Sequence, residues 1–190
     1  MKDAGKKIVF GFIGPIASGK GTVCRYLINK HGAGYVRFSS ILRDIANRLH
    51  IQESRENLQN LSGVLRQNFG DDLLAFAVAK DVLADTHAVV AIDGVRREPD
   101  IKELIKLPNF YLVSVDADIR TRFERITKRS ENVDDQSKTF EQFEKDNVAE
   151  AEQQIAALQE KAKFTLDNNG SLEDLYKQVD ELVGRVQTSK

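Results

Sequence analysis

Two kinds of apolar run alternate along this chain, and their order predicts its architecture. Lys7 to Ile13 (KIVFGFI) is a continuous apolar stretch with β-branched members, the pattern of a strand buried on both faces, and it ends at Gly14 and Pro15. From Lys20 the spacing changes. Val23, Leu27 and Ile28 recur at helical intervals and His31-Gly32 supplies a stop, so a helix follows the glycine-rich turn. Tyr35 to Phe38 predicts a short strand, followed by a helix carrying Ile41, Leu42, Ile45 and Leu49, with Ser39 or Ser40 as its N-cap. Two helices over Arg55 to Phe69 and Asp71 to Leu83 are divided by Gly70. Ala88 to Ile92 and Phe110 to Val115 are further buried strands, ended by Asp93-Gly94 and by Asp116. An arginine-rich helix follows from about Asp118 to Arg129. Ser130 to Lys138 has no apolar period and predicts a loop or flap. Phe140 to Lys161 predicts one long helix and Phe164 to Leu166 a last strand. Ser171 with Glu173 and Asp174 starts an amphipathic helix through Leu182.

Strands that alternate with helices and are apolar on both sides call for a parallel sheet covered on both faces, joined by right-handed crossovers. The expected fold is therefore α/β, three layers around about five parallel strands. Ligands of such sheets gather at the carboxyl ends of the strands. The loops after Ile13, Phe38, Ile92 and Val115 are the places to look for chemistry.

Composition narrows the partners. At 190 residues, residues 1–190 are expected to form a single domain. Hydrophobic residues make up 41% and charged residues 30%, the balance of an ordinary globular protein. With 28 Lys and Arg against 29 Asp and Glu, no global charge excess draws the chain to nucleic acid or to an anionic membrane. Any anion site must be local. One cysteine, Cys24, allows neither an intramolecular disulfide nor a cysteine-based zinc cluster, which fits a reducing, cytoplasmic setting. The apolar run from Ile8 is too short for a signal peptide core, and no stretch is long enough to span a bilayer. His31, His50 and His87 have no ligand spacing, and Cys24, inside the first helix, is expected to be a packed residue.

The most specific feature is the loop after the first strand, Gly14-Pro15-Ile16-Ala17-Ser18-Gly19-Lys20-Gly21-Thr22, which contains G-x-x-x-x-G-K. The glycines let backbone N–H groups curl inward, Lys20 adds a fixed positive charge, and the next helix presents its positive end. All three favour a polyphosphate, with Gly14, Ala17, Ser18, Gly19, Lys20, Gly21 and Thr22 as its cradle. The hydroxyl residue that usually follows the lysine is displaced by Gly21 to Thr22. A magnesium ion would therefore be held largely by phosphate oxygens and water, with Thr22 acting through water, and Asp93, which resembles a Walker B position, would order it through water as well.

The segment GPIASGKGT resembles the phosphate loop of the adenylate kinase and nucleoside monophosphate kinase group, in which glycine and then threonine follow the lysine. The resemblance implies a P-loop fold with a short lid near 130–138, acceptor-binding helices near 39–85, ATP and Mg²⁺, and transfer of the γ-phosphoryl group to a nucleotide-like acceptor. In Ser39-Ser40-Ile41-Leu42-Arg43 it places Ser39 and Arg43 near the acceptor phosphate. Asp93-Gly94-Val95-Arg96-Arg97 resembles a carboxylate strand end followed by a phosphate-binding arginine. The kinase group carries that arginine onto Arg97, and related deoxynucleotide kinases onto Arg96. Arg125 and Arg129 resemble the pair that opens the lid, and their i, i+4 spacing puts both on one helical face toward the ATP phosphates, with Arg122 sharing part of it. Lys20, Asp93, Arg125 and Arg129 are the catalytic candidates. Asp167-Asn168-Asn169-Gly170-Ser171 is similar to the strand-end turn whose backbone lines adenine.

Four functions remain open on the sequence alone. A nucleoside or deoxynucleoside monophosphate kinase leads, and a dephospho-CoA kinase-like enzyme acting on a ribose hydroxyl follows. A nucleotide-binding regulator without phosphotransfer is a different class, as is a sugar or other metabolite kinase on the same fold. Asn29-Lys30-His31-Gly32 and Thr127-Lys128-Arg129-Ser130 both lack the aspartate of N-K-x-D, which argues against a GTPase switch.

Overall fold

A computed structural model describes residues 7–128, 139–147 and 150–188. Five strands form the sheet, β1 (Ile8–Ile13), β2 (Gly34–Arg37), β3 (Val89–Asp93), β4 (Phe110–Asp116) and β5 (Phe164–Asp167). They are parallel throughout and lie in the order β2-β3-β1-β4-β5.

Alternation along the strands splits the core into two layers. Val9 and Ile13 of β1, with Val90 and Ile92 of β3, face α2 (Phe38–Arg48), α3 (Arg55–Phe69), α4 (Leu73–Ala84) and α8 (Glu150–Gln159). Ile8, Phe10 and Phe12 point the other way, with Val89, Ala91, Val113 and Val115, against α1 (Lys20–His31) and α9 (Leu172–Thr188). Phe10 and Phe12 are fully buried, each worth about 2–3 kcal/mol of apolar transfer. The register Arg37↔Asp93, Ile13↔Ser114 and Asp116↔Asp167 brings all five strand ends to one edge. That edge carries the candidate site.

Four boundaries differ from expectation. The helix after β2 begins at Phe38, with extended Arg37 as N-cap, so Ser39 and Ser40 lie inside its first turn. Phe38 is buried and anchors that turn in the core, so the helix opens ahead of the two serines. Helix α5 (Glu98–Ile101) and a 3₁₀ turn (Leu104–Lys106) fill a stretch for which no element was predicted, since four residues are too few to show a helical period. The span expected as one helix over Phe140 to Lys161 contains α7 (Phe140–Asn147) and α8, with residues 148–149 outside the described set. The last helix runs on to Thr188, because Val183 and Val186 continue its buried stripe. The arginine-rich helix is α6 (Ile119–Lys128). Arg129 and the predicted lid at 130–138 lie outside the described residues.

α1 and α9 are joined by a polar cluster beneath the stacked rings of Tyr26 and Tyr176. Asp180 accepts from Tyr26 (3.0 Å), Lys30 (2.7 Å) and His31 Nε2 (2.9 Å). Partial burial pushes the Asp180 carboxyl up, but the hydrogen bonds from Lys30, His31 and Tyr26 outweigh it and hold the carboxyl below the usual range. A carboxylate depressed in the folded state stabilises the fold above its unfolded value of about pH 4, and that contribution fades as pH falls through the lower folded value. Asp180→Asn should therefore lower the melting temperature at pH 7 and leave it nearly unchanged in strong acid. Melting curves across pH test this, and an equal deficit at every pH would contradict it.

Candidate active site

β1 delivers the chain into a tight loop whose backbone is set by close approaches. Gly14 has φ 153°, and a Cβ there would meet the Val115 carbonyl of β4 at 2.1 Å. Gly19 has φ 108° and caps α1, where a Cβ would meet Asn168 Nδ2 at 2.0 Å. Neither position admits a side chain. Between them Ala17 sits at φ 62°, a left-handed conformation uncommon outside glycine. No side chain caps α1, so its N-terminal N–H groups face the loop. Lys20 Nζ spans the loop, donating to Gly14 O (2.7 Å) and Pro15 O (2.9 Å). Gly21 stands in the first turn of the helix behind it. Thr22 Oγ1 accepts from Arg25 at 3.3 Å on the exposed side.

Asp93 ends β3 beside this loop. The Tyr35 hydroxyl donates to it at 3.0 Å, and Arg37 Nε lies 3.9 Å away, both reaching over from β2. Burial, then the Asp93 charge and hydrogen bond, push the Tyr35 hydroxyl well above its ordinary value, so it stays a proton donor at neutral pH. Burial likewise pushes the Cys24 thiol up, with Asp93 adding to it, and Cys24 packs in the core as a neutral group. Among the described residues no group of three or more His, Cys, Asp or Glu gathers as a metal cage. Thr22 and Asp93 are isolated oxygen donors, which would suit only a cation held mostly by other ligands.

The segment after β3 is fixed by a buried carboxylate. Asp100, 1% exposed, accepts from the backbone N–H of Arg96 (3.1 Å) and Arg97 (3.0 Å) and pairs with Arg66 Nη2 at 3.0 Å. Burial pulls the Arg66 guanidinium below its ordinary value, against the opposing pull of Asp100. Arg97 is half-buried, its Nε 3.8 Å from Asp100, and lines a cleft of about 290 Å³ with Asp71, Glu98, Pro99, Gln154 and Ala157. Arg96 is exposed. Arg43 forms an exposed ion pair with Glu53.

On the other side of the loop Arg125 Nη2 donates to Asn168 O at 2.8 Å, and burial lowers the Arg125 guanidinium. Arg122, 5% exposed, donates to Ala117 O (3.0 Å), to Ile16 O of the loop (3.4 Å) and to Asn147 of α7 (2.8 Å). Four buried side-chain atoms among the described residues have no hydrogen-bond partner: Ser18 Oγ, Ser39 Oγ, Arg97 Nη2 and Arg125 Nη1. Ser18, Ser39 and Arg97 lie in the segments that leave β1, β2 and β3, and Arg125 lies in α6, the helix after β4.

Comparison with known proteins bears on the family and the fold. Residues 13–144 match the family model described as AAA domain. The chain is 29% identical over 180 residues to a UPF0200 protein of Hyperthermus butylicus, covering 95% of each. It is 30% identical over 174 residues to UPF0200 protein TK1334 of Thermococcus kodakarensis, covering 89% of this chain and 92% of that one. The chain belongs to the AAA domain family and to the UPF0200 proteins. Among solved structures it is similar to shikimate kinase from Bacteroides thetaiotaomicron, at TM-score 0.64 and 14% identity over 95% of this chain and 98% of that one. TT1252 from Thermus thermophilus gives TM-score 0.58 at 17% identity over 94% and 97%. At such identity the likeness is one of fold, and the fold is that of the P-loop kinases.

In this UPF0200 protein the loop residues stand together at the end of β1, with Asp93 on the neighbouring strand. Ser39 and Arg97 follow β2 and β3, and Arg125 approaches from α6. Arg96 is exposed, and Arg43 is engaged by Glu53. Tyr35, Arg37, Arg66 and the Asn168 side chain had no sequence signal, since each acts on a residue distant in the chain. No helix among the described residues is long and apolar enough to cross a membrane.

Proposed function

We propose that this protein transfers the γ-phosphoryl group of ATP to a small phosphorylated acceptor, with a nucleoside or deoxynucleoside monophosphate as the class that fits best. The observation that carries this reading is the set of four buried, unpartnered atoms on Ser18, Ser39, Arg97 and Arg125. A buried donor left unmade costs about 1–3 kcal/mol. Two of the four belong to guanidinium groups, so the fitting partners are anions. Ser18 and Arg125 stand on the donor side of the site, Ser39 and Arg97 on the acceptor side.

On the donor side Gly14, Ala17, Ser18, Gly19, Lys20, Gly21 and Thr22 cradle the phosphates, and Arg125, with Arg129, offsets charge on them. Magnesium bound with ATP supplies further charge neutralisation across the phosphate oxygens. Asp93, held by Tyr35 and Arg37, orients water near Thr22. On the acceptor side Arg97 and Ser39 hold the incoming phosphate in line. The work of the chain is positioning and the screening of repulsion between two anions. Arg43 joins only when its exposed pair with Glu53 opens, which costs about 1 kcal/mol or less. Partners on this reading are small nucleotides, with no role for nucleic acid or membrane.

A hydroxyl acceptor, as in a dephospho-CoA kinase-like enzyme, is the second reading, and the placement of Asp93 as a possible base supports it. Kinetics of three variants separate the two. For a monophosphate acceptor, Arg97→Ala should raise the acceptor KM and lower kcat together, by about tenfold or more overall, and Arg96→Ala should do less. Should Arg97→Ala be silent while Asp93→Ala abolishes transfer to a ribose hydroxyl, the second reading replaces the first.

A further inference from the structure

Asn168 is buried, 4% exposed, in the turn after β5, yet its side chain reaches the phosphate loop. Its backbone is rigidly based. Asn168 N donates to Asp116 O at 2.8 Å, continuing the β4–β5 pairing. Gln178 of α9 brackets the preceding residue by accepting from Asp167 N (2.9 Å) and donating to Asp167 O (2.7 Å). From that base Asn168 Nδ2 donates to Ser18 O at 2.7 Å, in a fully buried hydrogen bond. Arg125 Nη2 meets the other side of the residue, 2.8 Å from Asn168 O and 3.4 Å from Asn168 Oδ1. The amide has one orientation that serves both neighbours, nitrogen to the carbonyl and oxygen to the cation.

We propose that Asn168 is a positioning residue for the donor phosphates, locking the phosphate loop and the Arg125 guanidinium into one arrangement. The proposal rests on the reading of this loop as an ATP phosphate site. Ser18 lies between Ala17 at φ 62° and Gly19 at φ 108°, and such conformations persist only where the surroundings over-determine them. The Asn168 amide is the buried side chain that holds the backbone between the two. It also fills the space a Gly19 side chain would need. Through Ser18 it fixes the residue whose own Oγ is buried without a partner, and through its carbonyl it fixes the Arg125 whose Nη1 is in the same condition. Base turn, loop and arginine are thus joined by one set of hydrogen bonds.

Asparagine is required on this account. Aspartate would set a carboxylate oxygen against the Ser18 carbonyl and draw Arg125 into a charged pair. The test measures binding of inorganic tripolyphosphate, ATP and adenosine to the whole protein by calorimetry, for wild type, Asn168→Asp and Asn168→Ser, whose hydroxyl is too short to reach Ser18. Val179→Ala, in the core of α9, serves as a destabilised control. Asn168→Asp and Asn168→Ser are each expected to weaken tripolyphosphate and ATP by about tenfold, the equivalent of one buried hydrogen bond lost, with adenosine unchanged. Val179→Ala should melt earlier and bind as wild type does. Wild-type tripolyphosphate affinity in folded Asn168→Ser, or equal losses for adenosine and tripolyphosphate, would overturn the proposal alone. A loss as large in Val179→Ala would overturn it too. If wild type binds neither ATP nor tripolyphosphate, the underlying reading of the loop falls first.

Discussion

Lys20→Ala is expected to slow phosphoryl transfer from ATP by about a hundredfold or more while leaving the circular dichroism spectrum intact. The lysine is set for this role by contacts that belong to the loop itself. Its ammonium bridges the Gly14 and Pro15 carbonyls, so a positive charge sits inside the curve of the loop, beside the N-terminal end of α1. A phosphate entering there replaces neutral carbonyls as its partner, and the attraction grows as charge builds on the transferring group. No core contact is lost with the side chain, because the packing of α1 rests on Val23, Cys24 and Leu27. ADP release under saturating acceptor measures the effect. Turnover near the wild-type level in a folded Lys20→Ala variant would make the loop a structural turn.

Arg66→Ala should destabilise the fold by about 3 kcal/mol, the largest stability loss expected of any single surface-distant charge here. Asp100 is the reason. Its carboxylate is 2% exposed at the side chain and keeps its charge compensated through Arg66 Nη2, whose own side chain is 10% exposed. Without that partner a buried carboxylate remains with two backbone N–H donors and the more distant Arg97. Arg66→Met restores volume without charge and should be nearly as damaging. Urea unfolding measures both. A shift well under 1 kcal/mol would show that the pair is solvated and does not hold the Arg96-Arg97 segment in place.

The parts of the site legible in the sequence are those in which neighbours in the chain are also neighbours in space. GPIASGKGT is one loop, so seven phosphate-binding candidates could be named together. The same held for the strand runs, because a parallel sheet buried on both faces turns local hydrophobicity directly into strands. Tyr35 and Arg37 were invisible for the opposite reason. They reach Asp93 only because β2 pairs with β3 in the register Arg37↔Asp93, and strand order is a global property. Arg66 and Asp100 are joined across 34 positions, and Asn168 and Ser18 across 150. Phe38 misled the reading of its own boundary: a buried aromatic that reads as the end of the strand opens the helix, where serine chemistry pointed two or three residues later. The dipeptide Arg96-Arg97 does not reveal the difference in burial that separates half-buried Arg97 from exposed Arg96.

The central claim is the proposal that a phosphoryl group leaves ATP on this protein and arrives on the phosphate of an acceptor monophosphate. Incubation of the wild-type chain with Mg-ATP and a panel of nucleoside and deoxynucleoside monophosphates, alongside dephospho-CoA and shikimate, tests it by mass analysis of the products with ADP measured in parallel. The account predicts that one class of monophosphate becomes its diphosphate in equal amount to the ADP released, and that Lys20→Ala forms neither. ATP turnover that leaves every monophosphate unchanged, or a phosphate gained on a hydroxyl of dephospho-CoA or shikimate instead, would contradict it.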